Sequence, residues 1–420
     1  MAAISLHWKL IGTICAFFVL ALIMAMIDES LFEFSLKVIK EFSKDWKKTN
    51  FYAFMRSYTS VGAIFILVVG YMYSLIFGPK IKQLMFLNTV LLSQAANAFL
   101  KNAYHQYRPC WAERTIPVYG KEKDFGNPSG HSTGCGAVVF SILAIYLWDN
   151  FDFCLNKTEE LAVKRSRASS LYSPVAKTII TLVLVFMFLG IVFSRVYLGA
   201  HSFNQVLYGS LLGFFCPFLI FNVFRQNLID YYKHLFLYKP INYRKNLILI
   251  LALGILALFA HIATYVILKL SGVKLDTETL DHIRDYIPEF NADLPLDSGF
   301  INFGLGEMIM GAHIGVLFNL YYFDINPIAI TLEVSFFKVI QRVLVICTIA
   351  GPIPVLAAIF LPVSPPLLII WVKTVIPGIS IGFILFGVTD YLLRKLKLLP
   401  EVKEESERDQ PKLMEVIQLI

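Results

Sequence analysis

Three short polar segments stand beside long apolar stretches of the sequence, and their residue types suit phosphate chemistry. They contain Lys101 and Arg108, then Ser129, Gly130 and His131, and finally Arg195 and His201. Lysine and arginine donate charge-assisted hydrogen bonds to phosphate oxygens, and one guanidinium group can bind two oxygens. Backbone N–H groups of a Ser-Gly pair at the start of a helix add fixed donors. Two histidines can supply a nucleophile and a proton donor, so the segments together predict phosphoryl transfer.

The composition predicts that the elements carrying these segments are membrane helices. Hydrophobic residues make up 57% of the 420 residues and charged residues only 16%, and the mean hydropathy is +0.65. A bilayer core of about 30 Å needs about 20 mostly apolar helical residues, and about ten stretches satisfy this requirement. They are 10–27, 59–77, 82–100, 132–148, 178–194, 205–224, 246–268, 301–322, 338–361 and 367–391. We therefore expect an all-α fold, a polytopic membrane helix bundle of about 9–10 spans.

The order of the predicted spans places the three polar segments on one side of the membrane. Loops 101–131 and 195–204 follow the third and fifth spans, so they share a side. Lysine and arginine are more frequent in the loops of the opposite side, which the positive-inside rule assigns to the cytosol. The polar segments are then expected to face the lumen or the exterior. An N-glycosylation sequon that begins at Asn156, in the loop 149–177 assigned to the cytosol, argues for the opposite orientation.

Charge and cysteine content exclude several other function classes. The net charge of +7 is spread over loops that flank apolar stretches, which indicates membrane topology and gives no footprint for a nucleic acid. The six cysteines show neither metal-ligand nor disulfide spacing. No obvious carboxylate-rich site lies near the three polar segments, so the residues indicate no metal site there.

The spacing of the segments resembles a three-part signature of a known family. The segments are Lys101-x6-Arg108-Pro109, Pro128-Ser129-Gly130-His131 and Ser194-Arg195-x5-His201. In this order they are similar to the motifs of the phosphatidic acid phosphatase type 2 superfamily, which includes lipid phosphate phosphatases, glucose-6-phosphatase and sphingosine-phosphate phosphatases. The signature covers roughly residues 82–224, and the resemblance implies a six-helix phosphatase core.

The resemblance implies a role for each motif residue in a metal-independent hydrolysis of phosphoric monoesters. His201 is expected to attack phosphorus and form a phosphohistidine, and His131 to protonate the leaving alcohol. The expected phosphate-binding residues are Lys101, Arg108, Ser129, Gly130 and Arg195. The implied substrate is a small-molecule or lipid phosphomonoester, with membrane lipids as further partners, and the oligomeric state is open.

Gln205 departs from the pattern of the superfamily. Most members have an aspartate four residues after the nucleophilic histidine, where it orients the ring. The amide of Gln205 can accept the ring N–H but cannot stabilise an imidazolium by charge. Glucose-6-phosphatase-like members resemble this chain at that position and around Arg108-Pro109-Cys110-Trp111. The resemblance therefore favours that branch and implies an endoplasmic reticulum enzyme with a lumenal active site, with the plasma membrane as the alternative.

Four regions are predicted along the chain. They are 1–58, with the first span and an interfacial amphipathic helix; 59–224, the phosphatase core; 225–398, the C-terminal spans; and 399–420, a charged tail. The amphipathic helix is predicted because Phe32, Leu36, Ile39, Phe42 and Trp46 recur at steps of three or four.

Two other function classes remain open from the sequence. Glycine and proline interrupt the ninth and tenth predicted spans, and broken helices are typical of substrate sites in transporters or scramblases. A catalytically silent lipid-phosphate-binding protein with the same fold is the other alternative. Glu307 and Lys373 lie at matching predicted depth in the eighth and tenth spans. Because a lone charge in a membrane costs several kcal/mol, we expect these two residues to form an ion pair.

Overall fold

The computed structural model describes residues 2–44, 46, 50–77, 80–118, 122–147, 174–228, 230–231, 243–323, 336–359 and 366–398. Within these ranges every regular element is a helix. The N-terminal half contains α1 (Ala2–Ser43), α2 (Asn50–Phe77), α3 (Lys80–Tyr104), α4 (Pro109–Ala112), α5 (Gly130–Ile142), α6 (Pro174–Tyr197) and α7 (Phe203–Phe218). The π-helical segments Leu143–Leu147 and Leu219–Val223 extend α5 and α7.

The C-terminal half is also helical within the described ranges. It contains α8 (Tyr243–Leu270), α9 (Thr277–Arg284), α10 (Leu294–Phe303), α11 (Met308–Tyr322), α12 (Phe336–Ala350), α13 (Pro352–Ile359), α14 (Pro366–Ile370), α15 (Ile376–Phe383) and α16 (Thr389–Lys395). A 3-10 turn, Gly304–Glu307, joins α10 to α11, and π-helical segments at Trp371–Val375 and Ile384–Val388 flank α15. These breaks coincide with glycine- and proline-containing stretches, where the regular α-helical hydrogen-bond ladder is weakest.

The predicted fold class, an all-α polytopic membrane bundle, is confirmed. Among the described residues, 6 helices are long and apolar enough to cross a membrane. They are Leu10–Ser43, Pro174–Tyr197, Phe203–Val223, Tyr243–Leu270, Leu294–Tyr322 and Pro366–Lys395. Each of the other predicted spans also contains a helix. The sequon at Asn156 and the charged tail lie outside the described residues.

Helix α5 lies at the centre of the N-terminal half and packs closely against α7. Ser129 caps α5, because its hydroxyl accepts a hydrogen bond from the Ser132 N–H at 3.4 Å. Two glycines of α7 allow the close approach: a Cβ atom at Gly209 would lie 2.5 Å from Ser129 O, and one at Gly213 would lie 2.6 Å from Thr133 O. The start of α5, which carries the Ser-Gly-His motif, is therefore held directly against the helix that follows His201.

The first helix differs from the prediction. Helix α1 continues from Ala2 to Ser43 without a break between the first span and the amphipathic segment. Its apolar face packs against the protein: Ile39 and Trp46 are buried, and the Phe42 ring lies 5.2 Å from the Tyr197 ring. The apolar face of an amphipathic helix must be buried against another surface, and here that surface is the end of α6. The predicted regional boundaries remain predictions.

The predicted ion pair between Glu307 and Lys373 is wrong. Glu307 is buried, and among the described residues it has neither an ion pair nor a hydrogen-bond partner for its side chain. Its Oε2 atom points towards α8, where it lies 3.3 Å from the position of a Cβ atom at Gly254. Glu307 ends a 3-10 turn and Lys373 lies in a π-helical segment. Both segments change the rotation of side chains about the helix axis, which an estimate of depth alone cannot include.

Candidate active site

Lys101 and Arg108 reach the site from the end of α3 and from the loop that follows it. Both side chains are buried, at 3% and 2% relative exposure. Lys101 lies in the last turn of α3, and Arg108 precedes Pro109, the first residue of α4. The Arg108 guanidinium lies 5.6 Å from the centre of the Trp111 ring, which supports it by a cation–π contact. Two cations from one short stretch of chain are thereby fixed at the same end of the bundle.

The backbone of residues 124–126 binds three of the predicted site residues in turn. Arg108 Nε donates to Asp124 O at 2.8 Å, and Lys101 Nζ donates to Phe125 O at 2.7 Å. The next carbonyl, Gly126 O, lies 2.9 Å from His201 Nδ1. Sequence reasoning missed this segment, because backbone carbonyl groups leave no signature in residue types. It connects the first motif to the third.

The geometry around His201 sets its tautomer. His201 Nδ1 faces two acceptors, Gly126 O at 2.9 Å and Gln205 Oε1 at 3.2 Å, so Nδ1 carries the proton. The other ring nitrogen, Nε2, lies 3.2 Å from Arg108 Nη1 and accepts from it. Burial, Arg108 and Arg195 lower the pKa of His201 well below its usual value. The imidazole is therefore neutral, with the lone pair of Nε2 directed into the group of cations.

Gln205 makes the contact that was predicted for it. Its Oε1 faces the His201 ring, while its Nε2 donates to Tyr107 O at 2.7 Å and to Gln106 Oε1 at 3.1 Å. These donors fix which end of the amide faces the histidine. A Cβ atom at Gly126 would lie 2.5 Å from Gln205 Nε2, so glycine is required there for the amide to fit.

The backbone amide of Ser129 does not have the role predicted for it. The Ser129 N–H, expected to bind a phosphate oxygen, donates instead to Gln205 O at 2.9 Å. This bond joins α5 to α7 and satisfies the amide within the protein. The Ser129 hydroxyl interacts with Ser132, whose Oγ lies 3.1 Å away. Of the two predicted backbone donors, the N–H of Gly130 remains a prediction.

Two carboxylates lie among the cations, which corrects the expectation that no carboxylate cluster adjoins the motifs. Asp124 Oδ2 lies 3.1 Å from Lys101 Nζ, and Asp124 Oδ1 lies 2.5 Å from Arg108 Nη2. Glu122 Oε1 lies 2.5 Å from Arg195 Nη2. The signal was present in the sequence, since both acids stand fewer than ten residues before His131. Their significance depends on how the loop folds back, which their spacing does not predict.

Charge interactions set the ionisation of these carboxylates. Burial would raise the pKa of Asp124, but the charges of Lys101 and Arg108 outweigh it and hold that pKa well below its usual range. Arg108 and Arg195 lower the pKa of Glu122 in the same way, against the effect of burial. Both groups are therefore ionised near neutral pH.

His131 and Arg195 complete the group of predicted residues. Arg195 is buried at the end of α6, where its Nη1 lies 3.5 Å from Thr59 Oγ1 of α2. His131 is the second residue of α5. Burial and the charge of Arg195 lower the pKa of His131, and Glu122 acts in the opposite direction. A bound phosphoryl dianion would also oppose this lowering. The structure thus brings all three motifs together at one end of the bundle, as the parity of the spans predicts.

An apolar crevice adjoins the second motif. It has a volume of about 150 Å³ and lies between α1, α3 and α7. Leu100, Tyr104, Pro128 and Tyr208 line the end nearest the motifs. Leu100 directly precedes Lys101, and Pro128 directly precedes Ser129. The crevice therefore adjoins the chain segments that carry the first and second motifs.

Comparison with known proteins points to one family and leaves part of the chain without a match. Residues 82–229 match the PAP2 superfamily. Dolichyldiphosphatase 1 from Plecturocebus moloch and from Homo sapiens are each 27% identical to this chain over 158 residues, covering 37% of the chain and 58% of the relative. The Mus musculus protein of the same name gives the same values. The match therefore spans little more than half of these relatives, and no solved structure matches significantly.

Proposed function

Because residues 82–229 belong to the PAP2 superfamily, we propose that this chain is an integral-membrane phosphatase that hydrolyses a phosphate ester through a phosphohistidine. The geometry of His201 carries the proposal. Its Nδ1 proton is held by Gly126 O and Gln205 Oε1, and its neutral Nε2 lies 3.2 Å from Arg108 Nη1. A nucleophile requires such an unprotonated ring nitrogen and a ring fixed by a second contact, and the bond from Arg108 to Nε2 must give way when phosphorus binds there.

The reaction proceeds in two displacements. In the first, His201 Nε2 forms a bond to phosphorus while the bond from phosphorus to the ester oxygen breaks, and His131 donates a proton to the leaving oxygen. In the second, His131 takes a proton from water, the water oxygen attacks phosphorus, and the bond to Nε2 breaks. The products are an alcohol, or a phosphorylated alcohol from a diphosphate, and inorganic phosphate.

The cations stabilise the phosphoryl oxygens in both steps. Arg108 is next to the nucleophilic nitrogen, so its guanidinium can hold an oxygen of the phosphoryl group attached there. Lys101 and Arg195 flank it, with the Ser129 side chain and Gly130 at the start of α5. No step uses a metal ion, because the cations stabilise the charge directly.

The apolar crevice favours a lipid-linked substrate over a sugar phosphate. It is lined by Leu100 and Pro128, the residues that directly precede Lys101 and Ser129 in the chain, so an apolar part of a substrate could bind next to the first two motifs. The relatives carry the name dolichyldiphosphatase, whereas Gln205 favoured a glucose-6-phosphatase-like branch. We propose the phosphate or diphosphate of a long-chain alcohol as the substrate class. The lumenal orientation and the endoplasmic reticulum location remain part of the proposal.

Phosphate release by the purified chain in lipid tests this function. The panel consists of glucose-6-phosphate, phosphatidate, a sphingoid-base phosphate and dolichyl diphosphate, and we expect release from the lipid substrates. Acid-quenched labelling with a radioactive phosphate ester tests the intermediate. His201→Ala should abolish turnover and labelling, while His131→Ala should lower turnover by about 10²–10⁴-fold and still permit labelling. Undiminished labelling of His201→Ala would exclude the nucleophile assignment, and transport that survives this change would favour a transporter.

A further inference from the structure

The three cations assigned to the phosphoryl oxygens are already bound by acidic side chains. Asp124 bridges Lys101 and Arg108, and Glu122 binds Arg195. The carboxylates are more accessible than the cations: the side chains of Asp124 and Glu122 are 17% and 29% exposed, against at most 4% for their three partners. The two acids therefore cover the cations on the side from which a phosphoryl group would enter.

The hydrogen bonds of Arg108 show that a phosphoryl group and Asp124 compete for the same donors. Arg108 Nη2 donates to Asp124 Oδ1, and Nη1 donates to Ala200 O at 3.0 Å and to His201 Nε2 at 3.2 Å. Nε donates to the Asp124 carbonyl. Of the five guanidinium hydrogens four are used, so only one is left for a phosphoryl oxygen while the bonds to Asp124 and His201 are both in place.

The backbone of this loop and its two carboxylate side chains are held in different ways. The backbone of residues 124–126 is fixed by bonds to Arg108, Lys101 and His201. Within the described part of the chain, the two carboxylate groups bind no side chains but the cations, and they lie at the accessible side of the site. Rotation of a side chain can therefore release a cation while the backbone stays bound. Because the carboxylates are ionised, their release separates opposite charges and opposes the binding of any anion.

We propose that the carboxylates of Glu122 and Asp124 compete with phosphoryl oxygens for Arg195, Arg108 and Lys101 and thereby lower the affinity of the site for every phosphoryl ligand. A ligand must displace these carboxylates, so its intrinsic affinity is multiplied by the fraction of sites in which they are released. Inorganic phosphate therefore binds weakly, whereas a long-chain substrate can offset the cost by binding its apolar part in the crevice beside Pro128. The role of the crevice rests on the proposed function, whereas the competition for cations does not.

A purely structural role for the two acids predicts the opposite change in anion affinity when they are neutralised. If they served only to hold the cations in position, neutralising them would weaken the binding of an anion. If they compete with the anion, neutralising them strengthens it. The direction of the change therefore decides between the two roles.

The experiment measures binding of inorganic phosphate and of vanadate to the full chain in lipid nanodiscs. Glu122→Gln should lower the Kd of both anions by about tenfold, since one charged competitor of Arg195 is removed. Glu113→Gln is the matched control, because Glu113 bonds to Thr115 and to none of the three cations. Asp124→Asn tests the second carboxylate where that variant folds. An unchanged or higher Kd for Glu122→Gln would overturn the proposal.

A second measurement addresses the competition during turnover. The kcat/KM of a short-chain phosphate ester and that of its long-chain analogue should each rise by about tenfold in Glu122→Gln, because the displaced carboxylate costs both substrates the same. An unchanged or lower kcat/KM for the short-chain ester would overturn the competition during turnover even if anion binding tightens. Anion binding requires no turnover, so failure of the proposed function can be recognised separately. A wild-type chain that hydrolyses no ester, together with tighter anion binding by Glu122→Gln, would reject the phosphatase and retain the competition.

Discussion

The two halves of the molecule bury charge in different ways. In the N-terminal half, Lys101, Arg108 and Arg195 are buried together, and each contacts a carboxylate. In the C-terminal half, Glu307 is buried without a hydrogen-bond or ion-pair partner among the described residues. A cavity of about 720 Å³, with mostly apolar walls from α3, α8, α10 and α11, lies beside it. Three buried cations are thus matched by carboxylates where the motifs meet, whereas Glu307 has no such match among the described residues.

This difference shows which half depends on the precise position of its charges. Removing one member of a buried pair leaves the other uncompensated, which costs about 3–5 kcal/mol. Replacing an isolated buried carboxyl by a neutral group of the same shape leaves no partner behind. Substitutions around His201 should therefore have large effects, and isosteric substitution of Glu307 a small one.

The largest effect among the following predictions is expected for Arg195→Lys. Lysine keeps the charge but loses the planar fork that binds Glu122 here and can bind phosphoryl oxygens in the reaction. We expect kcat to fall by about 10²-fold or more, as when one oxyanion donor is removed. Steady-state phosphate release measures this, with vanadate inhibition as a second readout. Arg114→Lys is the control, because Arg114 is exposed and pairs with Glu278 away from the site. Equal vanadate affinity of Arg195→Lys and the wild type would contradict the assignment.

The arrangement of the motifs could be predicted because it depends on topology. Counting apolar spans places the end of α3, the start of α5 and the end of α6 on one side, and the structure shows Arg108 and His201 in contact there. The contact of Gln205 with the His201 ring was expected from the resemblance, in which the residue four positions after the nucleophilic histidine faces its ring, and the two side chains lie 3.2 Å apart.

The loop between the first and second motifs could not be predicted. Glu122, Asp124 and Gly126 lie in an irregular segment where no periodicity indicates which side chains turn inwards. Their positions depend on backbone contacts with residues from other helices, such as the bond between Gly126 O and His201. The spacing of the sequence therefore predicts the cations of the site but not the carboxylates that bind them.

A smaller effect is expected where α7 crosses the start of α5. In Gly209→Ala the new Cβ atom would lie 2.5 Å from Ser129 O, so the helices must move apart. Such overpacking costs about 1–3 kcal/mol and would also displace the Ser129–Gln205 bond that links the second motif to the third. Thermal unfolding in detergent and phosphate release should both fall. Gly62→Ala is the control, because its Cβ atom would meet Ile191 at an ordinary 3.8 Å. Equal stability of the two variants would contradict the close packing.

The smallest effect is expected for Glu307→Gln, which tests the C-terminal side of the comparison. The amide matches the carboxyl in shape, and no ion pair is lost, so the free energy of unfolding should change by less than about 1 kcal/mol. Arg342→Gln provides the contrast in the same half. The buried Arg342 donates from Nε and Nη2 to Leu398 O at 3.0 and 2.7 Å, so this change should destabilise the chain more.

Thermal unfolding of Glu307→Gln and Arg342→Gln in the same detergent measures the two losses of stability. A loss of about 3–5 kcal/mol in Glu307→Gln would mean that the carboxylate has a charged partner after all. Activity lost with stability retained would have a different meaning. Helix α3 lines the cavity beside Glu307 and also carries Lys101, and the packing of Gly306 against Ala95 joins the two regions. Such a result would make the isolated carboxyl part of the path by which a substrate reaches the cations, and the two halves would then share one function.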